Sequence, residues 1–350
     1  MNISQFCFLV TALSIITFSS SARIDVTEHI SVSGFGSTSI TQSNIKTPLF
    51  VNREIIDDVC FDCDTTFGIQ GDISFTDDFN ASLQVVKRPQ DNWSSPELEW
   101  AYLGYSFSDY NTRAGRLRLP LFLSSEFYYV GQAYTSARPP QEVYNAILGI
   151  TSYQGISTSW DHELNDELYF TLAPYAGVPS EEAVELGPLK YVFEVKKLAG
   201  IYSELSSFDF RVMLSYAHVN YTTTVSNLPM SIIYPRDKLN IYTVGAEYNI
   251  KDWFITGEVV MSDIHFNWYS SLSYNVGKFT PYLTYAESHK SQKNNSVLVG
   301  VRYDLLTAVS LNAELQYTDA QHGDNGQFVL IPDDDKTDAY LYTLMLNFVF

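Results

Sequence analysis

The chain has 350 residues, of which 45% are hydrophobic and 15% aromatic, and its 40 acidic against 21 basic residues give a formal net charge of −19. Nucleic-acid binding needs a basic face. This chain is strongly acidic and has no run of Lys and Arg, so its composition excludes a nucleic-acid-binding protein. The apolar content excludes a disordered chain, and no Pro-, Gly- or Ser-rich linker divides the sequence into two domains.

The first recognisable element is a mostly apolar run over residues 6–18, FCFLVTALSIITF. A transmembrane helix needs about 20 residues, so this run is too short to be one. Small residues follow at Ser20 and Ala22, where a signal peptidase requires them. The pattern predicts a signal peptide over 1–22, although no Lys or Arg precedes the run; the alternative is a buried N-terminal helix. We therefore expect an exported mature chain, 23–350, of one domain.

The two cysteines of the mature chain, Cys60 and Cys63, lie in the segment DDVCFDCD. In an oxidising compartment a Cys-x-x-Cys pair favours a small disulfide loop. A metal site or a catalytic thiol pair is the alternative, since four aspartates surround the motif. A zinc site would need a second Cys pair or a nearby His, and the segment has neither. We predict a Cys60–Cys63 disulfide, no metal and no cofactor.

From about residue 65 onward, polar and apolar residues alternate with period two. In the last strand the even positions are large and apolar: Tyr340, Tyr342, Leu344, Leu346, Phe348 and Phe350. An apolar face rich in aromatics, opposite a polar and charged face, is typical of a barrel with lipid outside and water inside. A soluble sandwich is the alternative, but its long loops would fall at both ends.

The alternating segments number sixteen. They span about 24–40, 65–76, 79–88, 97–108, 112–121, 151–161, 167–176, 189–199, 208–220, 238–249, 253–261, 265–275, 279–287, 296–304, 309–318 and 338–350. Connections after even-numbered segments are mostly tight, and those after odd-numbered ones mostly long, except near 262–264 and 200–207. One rim of turns and one rim of loops predicts an all-β, sixteen-stranded antiparallel transmembrane β-barrel.

The sequence resembles the general porins of the Gram-negative outer membrane, a trimeric sixteen-stranded family, over essentially the whole mature chain. The stretches that carry the resemblance are HISVSGFGS, AGRLRLPLFLSSEFYYVGQAYTSARPPQEVY and the terminal strand ending at Phe350. The resemblance implies an integral outer-membrane location, a homotrimer and an inward-folded third loop. It also implies that Phe350 is the signal read by the barrel-assembly machinery. We further expect contact with outer-membrane lipid and lipopolysaccharide.

In that family the third loop narrows the pore, and its acids face basic residues on the opposite wall. Here the third loop, 122–150, is the longest and carries Glu126, Arg138 and Glu142. Strand parity predicts that Leu117, Leu119 and Leu121 face lipid. The basic wall would then consist of Arg116 and Arg118, joined by similar counting by Arg88, Arg211 and Arg302. The alternative is that these arginines pair with acids of the wall and only support the barrel.

The sequence therefore predicts an outer-membrane porin for passive diffusion of small hydrophilic solutes and ions, with weak cation preference. The alternatives are a channel selective for sugars or anions, and a surface receptor or adhesin displayed on a barrel. Neither G-x-S-x-G nor H-E-x-x-H occurs, so we do not expect an enzyme. Trp100, Trp160, Trp253 and Trp268 are predicted in interfacial girdles and not in a sugar-stacking track.

Overall fold

The computed structural model of the chain is a closed antiparallel barrel of sixteen strands. It describes residues 23–89, 95–147, 151–186, 189–226, 232–333 and 336–350, so the predicted signal peptide, 1–22, lies outside the described residues. Within those ranges, no helix has the length and apolar character needed to cross a membrane.

The barrel strands follow one another around the wall in chain order, and the last pairs with the first. They are β1 Ile30–Ser43, β2 Thr66–Ser74, β3 Phe79–Lys87, β4 Glu97–Phe107, β5 Tyr110–Arg118, β6 Ser152–Asn165, β7 Leu168–Gly177, β8 Leu189–Ser206, β9 Phe210–Ser226, β10 Ile232–Ile250, β11 Trp253–Ser262, β12 Phe266–Tyr274, β13 Phe279–Ser288, β14 Asn294–Leu306, β15 Val309–Ala320 and β16 Asp338–Val349.

Each of the sixteen predicted segments coincides with one of these strands, so the predicted barrel is confirmed. The strands that extend furthest beyond their predicted bounds are β8, β9 and β10, which have 18, 17 and 19 residues. The pairing between β10 and β11 ends at Ile241 of β10. The part of β10 that precedes Ile241 still pairs with β9, and β9 pairs with β8 over the same stretch. An additional strand, Ser180–Leu186, forms a hairpin with β8, and the two-residue strand Ile24–Asp25 pairs with β1.

Alternation gives the wall an exposed apolar face and a buried face. On β16, Tyr340, Tyr342 and Leu344 are 40–52% exposed, whereas Leu341 and Thr343 between them are buried. The same exposed apolar positions recur around the barrel, among them Ile40, Phe67, Leu83, Leu103, Leu283, Val299 and Leu315. We call this side the outer face and the opposite side the inner face. A continuous apolar outer face is what a strand barrel needs to contact lipid.

The seam between β1 and β16 depends on two glycines. Gly34 exchanges backbone hydrogen bonds with Phe350, at 2.8 and 2.9 Å. A Cβ on Gly34 would lie 2.3 Å from the Phe350 ring, and one on Gly36 would lie 2.5 Å from the Phe348 ring. The glycines thus make room for the terminal aromatic side chains over the closing strand pair.

The inner face also carries apolar residues, and these are covered by the connection between β5 and β6. We call this connection, residues 119–151, loop 3; it contains a 3₁₀ turn, Gly131–Ala133, and the single helical turn α1, Gln141–Tyr144. Leu117, Leu119 and Leu121 are 4%, 2% and 0% exposed and belong to one apolar cluster that includes loop 3 and strand residues from β6 to β13. The prediction that these leucines face lipid is therefore wrong, because loop 3 supplies an apolar environment on the other side of the wall.

Candidate pore site

Loop 3 contacts strands that are far from its own ends in sequence. Its Leu123 N–H donates to the Glu258 Oε2 of β11 at 2.8 Å, and the Asn267 Nδ2 of β12 donates to the Glu142 carbonyl at 2.7 Å. On β15, the Asn312 Nδ2 donates to the Thr135 carbonyl at 2.7 Å. All these strand residues are buried. Loop 3 is therefore fastened to the inner face of the wall from β11 to β15.

Arg138, predicted in the pore constriction, forms a buried ion pair with Asp64, which lies in the connection between β1 and β2. Its Nε donates to Asp64 Oδ1 at 2.7 Å, its Nη2 donates to Asp64 Oδ2, and its Nη1 donates to the Thr343 hydroxyl at 3.0 Å. Arg53 also donates to Asp64 Oδ1, from its Nε at 2.7 Å. Burial alone would raise the pKa of the Asp64 carboxyl, but the two guanidinium groups hold it well below its usual range. Asp64 is therefore a carboxylate shared by two buried arginines.

Glu142, predicted with Arg138, has a different environment. Its Oε1 accepts hydrogen bonds from the Ser296 hydroxyl at 2.6 Å and from the Asn294 Nδ2 at 3.1 Å. The residue is 2% exposed, and this burial raises the pKa of its carboxyl despite those two hydrogen bonds. Glu142 thus joins α1 to β14 and does not face a basic residue in the way that the predicted constriction requires.

Two further buried acids hold loop 3 and were missed in the sequence. Glu258 of β11 accepts from the Tyr144 hydroxyl at 2.5 Å and the Tyr269 hydroxyl at 2.8 Å. Glu314 of β15 accepts from the Ala137 N–H and the Tyr282 hydroxyl, both at 2.7 Å. The signal that could have found them is parity, since Glu314 lies on the polar side of an alternating strand.

Two arginines of the predicted basic wall, Arg88 and Arg118, share one carboxylate. Arg88 Nε donates to Glu99 Oε1 at 2.6 Å, and Arg118 Nη1 donates to Glu99 Oε2, while Glu99 is fully buried. The Tyr129 ring of loop 3 lies 5.7 Å from the Arg88 guanidinium and 5.3 Å from that of Arg118. These contacts support the alternative interpretation of the two arginines, which is pairing with acids of the wall.

The other arginines of the predicted wall are dispersed. Arg211 Nε donates to Glu247 at 2.8 Å, and Arg302 Nη1 donates to the Tyr134 carbonyl of loop 3 at 2.7 Å. Arg116 donates to the Leu98 carbonyl at 2.9 Å. Arg116 is two residues from Ala114 and so on the same side of β5, and the register pairs Ala114 with Leu103, a residue of the outer face. The assignment of Arg116 to the lumen is thus wrong, for the same reason as the assignment of the leucines beside it.

A cavity of about 480 Å³ lies between the first part of loop 3 and strands β2 to β9. Its charged lining residues are three arginines and three acids, namely Arg113, Arg118, Arg211, Glu126, Asp161 and Glu204. Glu126, predicted on the loop side, accepts a hydrogen bond from the Arg113 Nη1 of β5 at 2.9 Å. Arg113 was not predicted, because the parity assumed for β5 directed it to lipid. The cavity thus has an acid on the loop facing a base on the wall.

Trp100 also lines this cavity. Its ring N–H donates to the hydroxyl of Ser82, on the neighbouring strand β3, at 3.1 Å. The expectation of a girdle position is therefore wrong for Trp100. Trp253, by contrast, is exposed beside Tyr274 at a strand end, as a girdle residue would be.

Cys60 and Cys63 are joined by a disulfide in the connection between β1 and β2, residues 44–65, which we call loop 1. Cys63 is buried in a second apolar cluster with Leu49, Phe50, Phe328 and Leu341. The oxygen of Asp62 lies near the two sulfur atoms, but sulfur atoms bonded to each other are not thiolate ligands. The cluster joins loop 1 to β16 and to residues 321–337, which we call loop 8.

No protein-family model matches the sequence, and no curated protein does either. Solved structures do match. OmpF of Salmonella typhi, in complex with daunomycin, is 13% identical, with a TM-score of 0.59 over 94% of this chain and 100% of that chain. The anion-selective porin of Comamonas acidovorans is 13% identical, with a TM-score of 0.57 over 92% of this chain and 99% of that chain.

OmpT, an outer membrane protein of Vibrio cholerae, in its in-vitro folded trimer form, is 12% identical, with a TM-score of 0.57 over 92% of this chain and 99% of that chain. Identities this low show a common fold and carry no residue roles from those proteins to this one. The chain has the sixteen-stranded barrel fold of the Gram-negative outer-membrane porins.

Proposed function

We propose that the chain is an outer-membrane porin in which loop 3 folds into the lumen and narrows a channel for small hydrophilic solutes and ions. The observation that carries the proposal is the cavity between loop 3 and strands β2 to β9, which three arginines and three acids line and in which Glu126 of loop 3 is paired with Arg113 of β5. A water path lined by equal numbers of acidic and basic side chains offers polar groups to small solutes without binding one charge strongly.

The proposal includes the location and assembly of the protein. The continuous apolar outer face supports insertion into a lipid bilayer, and the trimer form of OmpT supports a homotrimer. Export requires cleavage of the predicted signal peptide after Ala22, and insertion requires the barrel-assembly machinery, for which Phe350 is the proposed signal. Lipid and lipopolysaccharide would then surround the trimer.

Planar-bilayer recording of the full mature chain, purified from outer membranes, tests the proposed channel. We expect ohmic conductance steps, in groups of three if each barrel of a trimer conducts. A protein that inserts, migrates as a folded barrel on a gel and yet gives no steps would contradict the proposal. Mass spectrometry of the same sample tests the cleavage, since the expected first residue is Arg23.

A substrate-selective channel is the second candidate, and the position of Trp100 favours it. An indole ring inside the cavity can stack on the apolar face of a sugar, and the polar groups beside it can bond to the hydroxyls. Maltose added at millimolar concentration would then block the ion current, and Trp100→Ala would abolish the block. Trp253→Ala, on the exposed side of a strand end, is the matched control. If maltose does not block the current of the wild-type protein, the selective channel is contradicted and the proposal of a general porin stands.

A further inference from the structure

Asp64 lies near the end of loop 1. Its buried carboxylate accepts five hydrogen bonds, three of them from two arginines. Arg53 Nε and Arg138 Nε donate to Oδ1, both at 2.7 Å. Oδ2 accepts from Arg138 Nη2, from the Ser39 hydroxyl at 2.7 Å and from the Thr41 hydroxyl at 3.0 Å. Because the Asp64 side chain is only 1% exposed, water cannot replace these donors.

Both arginines connect this carboxylate to loop 3. Arg138 belongs to loop 3 itself, and both side chains are nearly as buried as Asp64, with 5–6% exposure. Arg53 belongs to loop 1, but its Nη1 donates to the Gln141 Oε1 of α1 at 3.1 Å. Loss of the Asp64 charge would leave two buried guanidinium groups beside each other without their shared counter-ion. Loop 3 would then lose its ionic attachment on the side of β1 and β16, where the hydrogen bonds from Arg138 to the Thr343 and Thr41 hydroxyls would remain.

The disulfide determines where Asp64 lies. Cys60 exchanges both backbone hydrogen bonds with Thr41 of β1, at 2.8 and 2.9 Å. Cys63, the residue directly before Asp64, is packed against Leu341 of β16 and Phe328 of loop 8. The disulfide therefore ties Asp64 to two fixed points, one on β1 and one on β16. Without it, the segment 61–65 would lose its covalent constraint and would be held by hydrogen bonds such as those from the Ser37 hydroxyl to the Asp64 carbonyl and from Lys87 Nζ to the Thr65 carbonyl.

We propose that Asp64 is the positioning residue of loop 3, and that the Cys60–Cys63 disulfide makes this positioning dependent on redox state. A dithiol reductant would transfer two electrons and two protons to the disulfide, giving two cysteine thiols and the oxidised cyclic disulfide of the reductant. Cys60, which is half-buried, is the sulfur that solvent reaches, since Cys63 is buried. Reduction releases the segment 61–65, the Asp64 carboxylate leaves its arginines, and loop 3 loosens.

The effect on permeation rests on the proposed function, whereas the attachment of loop 3 does not. The primary readout is therefore hydrogen–deuterium exchange of the loop 3 backbone amides in the folded full-length barrel, followed by mass spectrometry of peptides covering 130–147. We expect Asp64→Asn to speed exchange there at least tenfold, because Arg138 loses the carboxylate that it contacts directly and keeps the more distant Glu314, at 3.8 Å. Asp58→Asn, which removes the same charge from an exposed position of loop 1, should leave exchange within twofold of wild type.

The redox arm needs no variant, so it remains decisive if Asp64→Asn fails to fold. Dithiothreitol added to folded wild-type barrels should speed exchange of the same loop 3 peptides at least fivefold. The Cys60→Ser, Cys63→Ser double variant should show the faster exchange from the start and no response to dithiothreitol. Exchange that stays within twofold of the oxidised wild type after complete reduction, verified by thiol labelling, would overturn the redox dependence.

Conductance separates this proposal from the proposed function. If wild type conducts, reduction should increase the rate of current fluctuations at least threefold, because a loosened loop 3 moves in the water path. Faster exchange in a protein that never conducts would leave Asp64 as the positioning residue and contradict the porin. Unchanged exchange in Asp64→Asn would overturn the positioning role whatever the channel does.

Discussion

Buried carboxyl groups fasten loop 3, and at the residue scale each has its own set of partners. Asp64 is paired with arginines, Glu258 accepts from tyrosines, and Glu142 accepts from a serine and an asparagine. An acid buried without a basic partner favours its protonated form, because the charge is poorly solvated. The side chains that hold loop 3 therefore differ in how they respond to pH.

We expect Glu142→Gln to make the barrel less sensitive to pH. Since burial raises the pKa of this carboxyl, the folded state keeps a proton that the unfolded state has already lost above its ordinary value of 4.5. Stability therefore falls as pH rises from that value through the folded pKa. The amide is neutral throughout and can still accept from Ser296 and Asn294. In detergent, the thermal unfolding midpoint of the variant should equal or exceed that of wild type at pH 8. At pH 4 it should be equal to or below that of wild type.

The control for this prediction is Glu163→Gln, at an exposed position of β6. Its midpoint should follow that of wild type at both pH values. A Glu142→Gln midpoint that falls by several degrees at pH 8 would contradict a protonated Glu142 and indicate that the charge itself holds α1.

Tyr144 offers a comparison of the same hydrogen bond in two environments. Its hydroxyl donates to Glu258 at 2.5 Å in a buried site, and the Tyr285 hydroxyl donates to Glu287 at the same distance in an exposed site. Removal of a buried donor leaves its acceptor unsatisfied, so Tyr144→Phe should lower the free energy of unfolding by about 1–3 kcal/mol. Tyr285→Phe should change it by less than about 0.5 kcal/mol, because the exposed Glu287 keeps its contact with His289 Nε2 at 3.0 Å. Denaturant titration in lipid vesicles gives both values, and equal effects would contradict the buried site.

At the scale of elements, the barrel closes where the two end strands meet. β1 and β16 pair from Phe35 to Ser43, and the Phe348 and Phe350 rings cover glycines of β1. The terminal strand therefore has two roles in this structure, one in its backbone pairing and one in the fit of its aromatic side chains. Only glycine allows that fit, since any Cβ at those positions would overlap a ring.

Gly34→Ala should disturb closure of the barrel. The added Cβ would lie 2.3 Å from the Phe350 ring, so the ring must leave its place, and overpacking of this kind costs about 1–3 kcal/mol. Gly71→Ala on the neighbouring strand β2 is the control, because nothing lies within 4 Å of its added Cβ. The fraction of heat-modifiable folded barrel on a gel, after refolding into vesicles, should fall for the first variant and stay at the wild-type level for the second. Equal fractions would show that Phe350 moves without cost.

At the scale of the whole molecule, the charge balance of the cavity lining differs from that of the chain. The net charge of the chain is −19, yet the charged lining of the cavity is balanced at three arginines and three acids. Screening acts within about 10 Å at 0.1 M salt, so charges close to the water path outweigh those on distant loops. The protein should therefore conduct with only weak ion preference, tilted to cations.

Arg113→Gln should shift this preference toward cations. The variant removes the base that is paired with Glu126 in the cavity lining, and the acid remains. Reversal potentials in a tenfold salt gradient should move in the cation-selective direction, whereas Glu126→Gln should move them the opposite way. Lys251→Gln, in an exposed turn, removes one positive charge outside the cavity and should leave the reversal potential unchanged. The same shift in both arginine and lysine variants would contradict control by the cavity.

The sequence by itself determined the barrel. Period-two alternation and the spacing of turns depend only on neighbouring residues, so all sixteen strands and the apolar face of β16 could be predicted. The face of β5 could not, because alternation shows that two sides differ without showing what covers each side. Loop 3 covers Leu117 to Leu121 from within, and only the tertiary structure reveals this.

The same limit explains which site residues were found. Glu126 and Arg138 could be named from the length and position of loop 3, but their partners Arg113 and Asp64 could not. Asp64 precedes Arg138 by 74 residues, and the two are in contact because loop 1 and loop 3 meet in the closed barrel. Pairings across a closed barrel depend on the path of the loops, for which a periodic pattern holds no information. The local pattern fixes the wall of this protein, and long-range contact alone decides where loop 3 attaches to it.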